Sequence, residues 1–280
     1  MMPDTFPPPS TTDQPPHAGD GAAPDDEAVM SFLDHLEELR WSLLWGGLGI
    51  MVAVVVAAFF SNWIVNTLLI GPTRPSFFMY DVLGINAREL DLLNRTITGQ
   101  FFADLGTIVI VGIIIGSPVL VYFLWRFIEP ALYPEERSGM RFASAFATFF
   151  FLLGTAFGYL ILTPLALQFF AGYQLSDQII NQFDIITYFT MVTYWTVGTG
   201  LLFELPVVVY FLAKVGIITP EMMRTYRRHA LVVILVLAAF LTPPDPVSQV
   251  IVGMPLLFLY EVSIYVARYV QRKQEKALST

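Results

Sequence analysis

The sequence predicts an all-α polytopic membrane protein with six transmembrane helices and both termini on the inner side, and three observations carry that prediction. Of its 280 residues 55% are hydrophobic and only 14% charged, whereas soluble proteins carry about a quarter charged residues. The apolar residues gather into runs long enough, at about 20 residues each, to cross roughly 30 Å of hydrocarbon. The basic residues then divide unevenly. With the N-terminus inside, twelve of the 15 Lys and Arg fall on the inner side and only Arg74, Arg88 and Arg95 outside, the asymmetry that orients membrane helices.

Residues 1–28 are rich in Pro, Asp, Gly and Thr and show no periodic apolar face. Such a segment cannot bury enough surface to order itself and reads as a disordered, acidic cytoplasmic tail. It lacks the basic start and apolar core of a cleavable signal peptide, so the first span must direct insertion. Ser31 to Arg40, SFLDHLEELR, places Phe32, Leu33, Leu36 and Leu39 at helical spacing and is predicted to lie along the interface. The first span, about 41–60, follows with Trp41 and Trp45 at headgroup level.

Residues 61–104 form the sizeable outer loop. GPTRP marks a turn, and Asn86 to Glu89 resembles a capping box opening a short surface helix with Leu90, Leu93 and Ile97 on one face. The second span, about 105–124, holds Gly112 and Gly116, with Pro118 as a kink; the third, about 142–170, holds Gly154 and Gly158. Small residues four apart let helices approach closely in lipid. Asp184 caps the fourth span, about 185–213. The fifth, about 230–241, reaches only about 18 Å as a helix. With the TPPDP turn and the sixth span, about 247–267, it forms a short hairpin that thins the bilayer or leans on partners. Residues 29–268 thus make the membrane domain, and 269–280 a basic cytoplasmic tail.

The polar hinge WRFIEPALYPEERSGMR, 125–141, joins two of these runs and carries Pro130, Pro134, Glu135, Glu136 and three arginines. A rigid loop presenting carboxylates beside a membrane suits capture of a basic ligand. The plainer reading makes Glu135 and Glu136 solvated charges paired with Arg137 or Arg141, worth little. Glu204 stands near the middle of the fourth span, where a charged carboxylate costs at least about 2.5–3.5 kcal/mol. It must face the bundle or a wet cavity, either as a working acid or as a neutral group bonded to the next helix. Pro206 frees carbonyls beside it. Gln249 suits a bond across helices.

Catalysis finds no support. There is no cysteine, the histidines (His17, His35, His229) are scattered, and no zinc, nucleophile-elbow or phosphate-loop motif occurs. No cofactor or metal is expected. Two classes remain: a small-solute or ion permease working through Glu204, and a receptor docking a basic ligand at the inner surface.

Four segments decide between them. His35 to Arg40, HLEELR, resembles an H-L-x-E-L-R signature, and Phe127 to Arg137 is similar to F-I-x-P-A-L-Y-x-x-E-R. Phe203 to Pro206, FELP, resembles F-E-x-P, and Thr242 to Gln249, TPPDPVSQ, resembles T-P-P-D-x-x-S-Q. In this order, from about Ser31 to Arg268, they resemble the TatC family, the receptor subunit of the twin-arginine translocase. The resemblance implies a cupped bundle with short fifth and sixth helices, in a bacterial inner membrane. It implies a signal-peptide site at Phe127, Glu136, Glu38 and Arg40, with Glu135 adjacent, and functional polar groups at Glu204, Asp245 and Gln249. It further implies export of folded cargo by the proton-motive force, with TatA- and TatB-type single-span partners, membrane lipids and further copies of the chain. The long acidic N-terminal tail and the enlarged first outer loop depart from the family pattern.

Overall fold

The computed structural model describes residues 32–128, 140–243 and 246–278, with side chains described over 36–128, 143–243 and 246–275. The tail at 1–28, the hinge residues 129–139 with Glu135 and Glu136, and Asp245 lie outside the described residues. The chain runs α1 (Phe32–Phe59), α2 (Ser61–Trp63), α3 (Phe78–Leu83), β1 (Leu92–Leu93), α4 (Gly99–Ile128), α5 (Met140–Phe157) and α6 (Thr163–Gly172). It continues through β2 (Phe183–Asp184), α7 (Ile185–Phe203), α8 (Leu205–Lys214), α9 (Pro220–Thr225), α10 (Arg227–Leu241) and α11 (Pro246–Leu278). Among the described residues, five stretches are long and apolar enough to cross a membrane: Leu36–Phe59, Gly99–Ile128, Ala143–Gly172, Ile185–Lys214 and Pro246–Glu275. With 15 residues, about 22 Å at 1.5 Å per residue, α10 is shorter than these.

Glycines set the closest packing. Gly112 and Gly116 of α4 stand against the backbone of Val54 and Ile50 on α1, while Gly46 and Gly49 of α1 receive Leu120 and Val119. The two helices therefore run antiparallel along their full shared length. A second close pair joins α5 to α7. A methyl at Gly154 would stand 2.7 Å from the Thr199 carbonyl oxygen, and Thr199 Oγ1 donates to the Gly154 carbonyl at 2.9 Å. These contacts anchor a core that includes Ala103, Leu162, Leu167, Trp195, Phe203 and Leu256. A smaller cluster, including Val209, Ala213, Ile264 and Ala267, joins α8 to α11.

Prolines behave according to who takes the carbonyl they leave. Pro118 sits inside an unbroken α4, and Ser117 Oγ donates to the Ile114 carbonyl at 2.8 Å, the acceptor an ordinary residue at 118 would have used. Pro206 does interrupt its helix. The chain leaves helical hydrogen bonding at Glu204 (φ −71°, ψ −3°), so the fourth span is two helices and not one.

The structure corrects three further expectations. The amphipathic segment before the first span does not lie apart from it, because Phe32–Phe59 is one helix. The sixth helix is not short: α11 runs 33 residues straight through Pro255 and its basic end. Nor do residues 86–97 form a surface helix. Their backbone is engaged elsewhere: Leu90 N–H with the Thr73 carbonyl at 3.1 Å, Arg88 N–H with Gln168 Oε1 at 2.8 Å, and Leu92–Leu93 in parallel register with Phe183–Asp184. Leu90 is buried while Ile97 is fully exposed, so no single apolar face exists. The helix of this loop is α3, closed by Gly84 at φ 65°, a left-handed value that favours glycine.

The same loop forms a cap tied to one end of the bundle. A π turn, Ile64–Leu69, bends the chain back after α2. Tyr159 Oη donates to the Leu68 carbonyl at 2.7 Å, Tyr188 Oη to the Leu69 carbonyl at 2.6 Å, and Tyr80 Oη to the Pro72 carbonyl. Burial pushes the Tyr80 phenol above its ordinary value.

Candidate functional site

At one end of the α1–α4 pair, the HLEELR segment stands level with the described start of the hinge motif, Phe127 and Ile128. On α4, Gly112, Gly116 and Val119 face α1, and helical periodicity carries that stripe on through Phe123 to Phe127. Extending the observed register toward the start of α1 sets Glu38 and Arg40 beside the end of α4, at Arg126 to Ile128. The end of α4 is anchored: Trp125 is buried against Ala147, with Val207 and Tyr210 packed around it. Phe127 is half-buried there.

Glu38 is half-buried, and its Oε2 is shielded from solvent with no hydrogen-bond partner among the described residues. Shielded acceptors without donors are rare and costly, so this oxygen is suited to a donor from outside the chain. Arg40 is exposed, its guanidinium 5.9 Å from the Trp41 ring centroid. Thus Phe127, Glu38 and Arg40 come to one end of one helix pair.

The intramembrane trio is not gathered in the same way. Glu204 is half-buried at the α7–α8 break, its carboxyl against the backbone of Phe151. Gln249, at the start of α11, gives its Nε2 to the Leu235 carbonyl of α10 at 3.1 Å. Since Leu205 packs with the Ile264 cluster, and Gln249 lies 15 residues before Ile264 on α11, Gln249 stands roughly 22 Å along α11 from the level of Glu204.

Sequence reasoning missed other groups whose partners are distant in the chain. Arg227 Nη2 meets Glu261 Oε2 at 2.7 Å across α10 and α11. An apolar cavity of about 290 Å³ opens between α4, α5 and α7, lined among others by Val111, Ile114, Tyr159 and Thr196. A polar cavity of about 630 Å³ lies under the cap, with Arg74, Glu89 and Asp104 on its wall.

Known proteins resemble this chain in sequence and fold. The family model for Sec-independent protein translocase protein (TatC) matches residues 34–255. The chain belongs to the TatC family. A TatC of Blattabacterium sp. subsp. Periplaneta americana is 34% identical over 264 residues, covering 89% of this chain and 99% of the relative. One from Halalkalibacterium halodurans is 37% identical over 252 residues, covering 90% and 94%. A crystal structure of the twin-arginine translocase receptor TatC is similar with a TM-score of 0.65 at 32% identity, over 85% of this chain and 99% of that one. Family membership makes this chain a membrane component of protein transport and not an enzyme.

Proposed function

We propose that this chain is the receptor and core subunit of a twin-arginine translocase, binding the twin-arginine signal peptides of folded cargo at its cytoplasmic face. It crosses the bacterial inner membrane six times, α10 being the short fifth span, and keeps both termini in the cytoplasm. The observation that carries the reading is the Glu38 oxygen, shielded and without a donor among the described residues, at the level of Phe127. A guanidinium offers a planar fork to a carboxylate, which an ammonium cannot copy. Two arginines call for two carboxylates. Glu38 supplies one and Glu136 the other, with Glu135 a lesser contributor. Phe127 offers the apolar surface for the peptide's hydrophobic segment, and Arg40 borders the site.

Export draws on the proton-motive force, with Glu204, Asp245 and Gln249 as the intramembrane polar groups. Single-span partners of the TatA and TatB type dock along α10 and α11, and further copies of the chain join the complex. Exposed apolar side chains on both helices support that docking, among them Val232, Val236 and Phe240 on α10 and Val250, Met254 and Phe258 on α11.

The test is binding of a twin-arginine signal peptide to the purified full chain, against the twin-lysine version. Arginine-selective binding that falls at least tenfold in Glu136→Ala, and much less in Glu135→Ala, supports the carboxylate fork. Binding blind to Arg against Lys sinks it and returns a permease working through Glu204 to contention.

A further inference from the structure

The inner half of α11 carries α9 and the start of α10 on one side. Met223 packs with Ile264, Ala267 and Val270, and Tyr260 Oη donates to the Met223 carbonyl at 2.7 Å. One turn on, Arg227 meets Glu261 at 2.7 Å. That ion pair marks the flank on which the start of α10 meets α11. On α11, Tyr265, Arg268 and Arg272 follow Glu261 by one, two and three turns and continue its stripe. On the partner, Arg224 and Arg228 bracket Arg227. Both sets therefore adjoin the Arg227–Glu261 pair, Arg224 from α9 and Arg228 from the first turn of α10.

Arg227 is neutralised by Glu261; its neighbours have no carboxylate partner among the described residues. Arg224, Arg228 and Arg272 are exposed, and Arg227–Glu261 is the ion pair on this flank among the described residues. The guanidinium of Arg268 lies 5.5 Å from the centroid of the Tyr265 ring. Segments 214–228 and 261–275 together hold seven Lys and Arg against three acids, Glu221, Glu261 and Glu275. Tyr226, Tyr265 and Tyr269 are 54%, 64% and 68% exposed. Exposed tyrosines at span ends mark the headgroup layer, so these cations stand at the depth of lipid phosphates.

We propose that this flank binds the headgroups of anionic phospholipids, with phosphates held between Arg224 and Arg228 on the α9–α10 corner and Arg268 and Arg272 on α11. Guanidinium forks match phosphate oxygens two at a time, and basic residues beside a span attract anionic lipid. The Arg227–Glu261 pair ties α10 to α11 and so keeps the two arginine sets together. A surface of this kind needs neither signal peptide nor partner subunit.

The experiment uses the full chain in a zwitterionic detergent, offered phosphatidylglycerol or phosphatidylcholine, with retained lipid measured by native mass spectrometry. Phosphatidylglycerol is expected to be retained at least tenfold more tightly. Replacing Arg224, Arg228 and Arg268 together by Gln is expected to weaken retention on the order of a hundredfold, at about fivefold per cation. Arg88→Gln with Arg95→Gln, on the opposite side, should leave it unchanged. Lysines at the three positions should restore most of it. If the triple Gln chain is not monodisperse, Arg224→Gln and Arg268→Gln alone are each expected to show the fivefold loss. Equal retention of both lipids, or undiminished retention after the Gln changes, overturns the proposal. Displacement of the lipid by millimolar inorganic phosphate overturns it too, because it marks a free-anion site.

Discussion

Glu38 and Glu37 are neighbours in sequence and opposites in setting. Glu37 is exposed, whereas Glu38 is half-buried, with an oxygen that is shielded and has no donor among the described residues. A charge-assisted hydrogen bond to such an oxygen contributes about 1.5–3 kcal/mol, one or two decades of affinity. Glu38→Ala is therefore expected to weaken twin-arginine peptide binding tenfold or more, and Glu37→Ala less than twofold; calorimetric titration of both variants decides it. Equal losses would reduce the inner end of α1 to a charged surface. Glu204 calls for a different pair of variants. If its role in transport needs a polar group and not a fixed charge, Glu204→Gln assembles and exports while Glu204→Ala does not, and normal export by the Ala variant leaves the residue as packing. At this scale motifs were legible, since each candidate residue stands in a short local pattern. What escaped the sequence was the shielding of one acid and not its neighbour, which depends on the helix packed beside it.

Elements were legible where their cause is local. Asp184 caps α7 as its position suggested, accepting from the Ile186 and Thr187 N–H groups at 3.1 Å. Those bonds, the Thr187 backbone foremost, hold its carboxyl below the ordinary 3.8. A depressed folded value means the cap is whole above the ordinary carboxylate range and is lost as pH falls through the folded value. Thermal stability in detergent is expected to drop below about pH 4, and Asp184→Asn, which still caps, should remove that part of the slope. The glycine pairs were equally legible, and they predict a contrast. Gly154→Val collides with the Thr199 backbone and should cost about 1–3 kcal/mol, read as a lower melting temperature. Gly47→Ala meets nothing within 4 Å and should leave melting unchanged or raise it. The cap loop was misread as a helix for the reverse reason. The partners of its backbone come from far along the chain, Gln168 lying 80 residues beyond Arg88 and Tyr188 119 beyond Leu69, and a short helix on its own is marginal.

At the scale of the whole molecule the spans are unequal. The five stretches long and apolar enough to cross a membrane among the described residues run 24 to 30 residues, while α10 has 15 and falls about 8 Å short of a 30 Å hydrocarbon core. Its neighbours cannot make up the difference. Thr242 ends the helix in an extended conformation (φ −102°, ψ 157°), and Tyr226 breaks it from α9 at the other end. A bilayer meeting α10 must thin on that flank or leave polar backbone in lipid, and mismatch costs fractions of a kcal/mol per Å. Summed over about 8 Å, that is a few kcal/mol, enough to move a melting temperature measurably. The full chain reconstituted in phosphatidylcholines of increasing acyl length is expected to melt highest in the thinnest bilayer that still seals. Inserting four leucines after Ala238 lengthens α10 by about 6 Å and should shift that optimum toward thicker bilayers. An optimum that stays in place for the lengthened chain means that other surfaces set the local thickness, and that the shortness of α10 serves the contact with α11 alone.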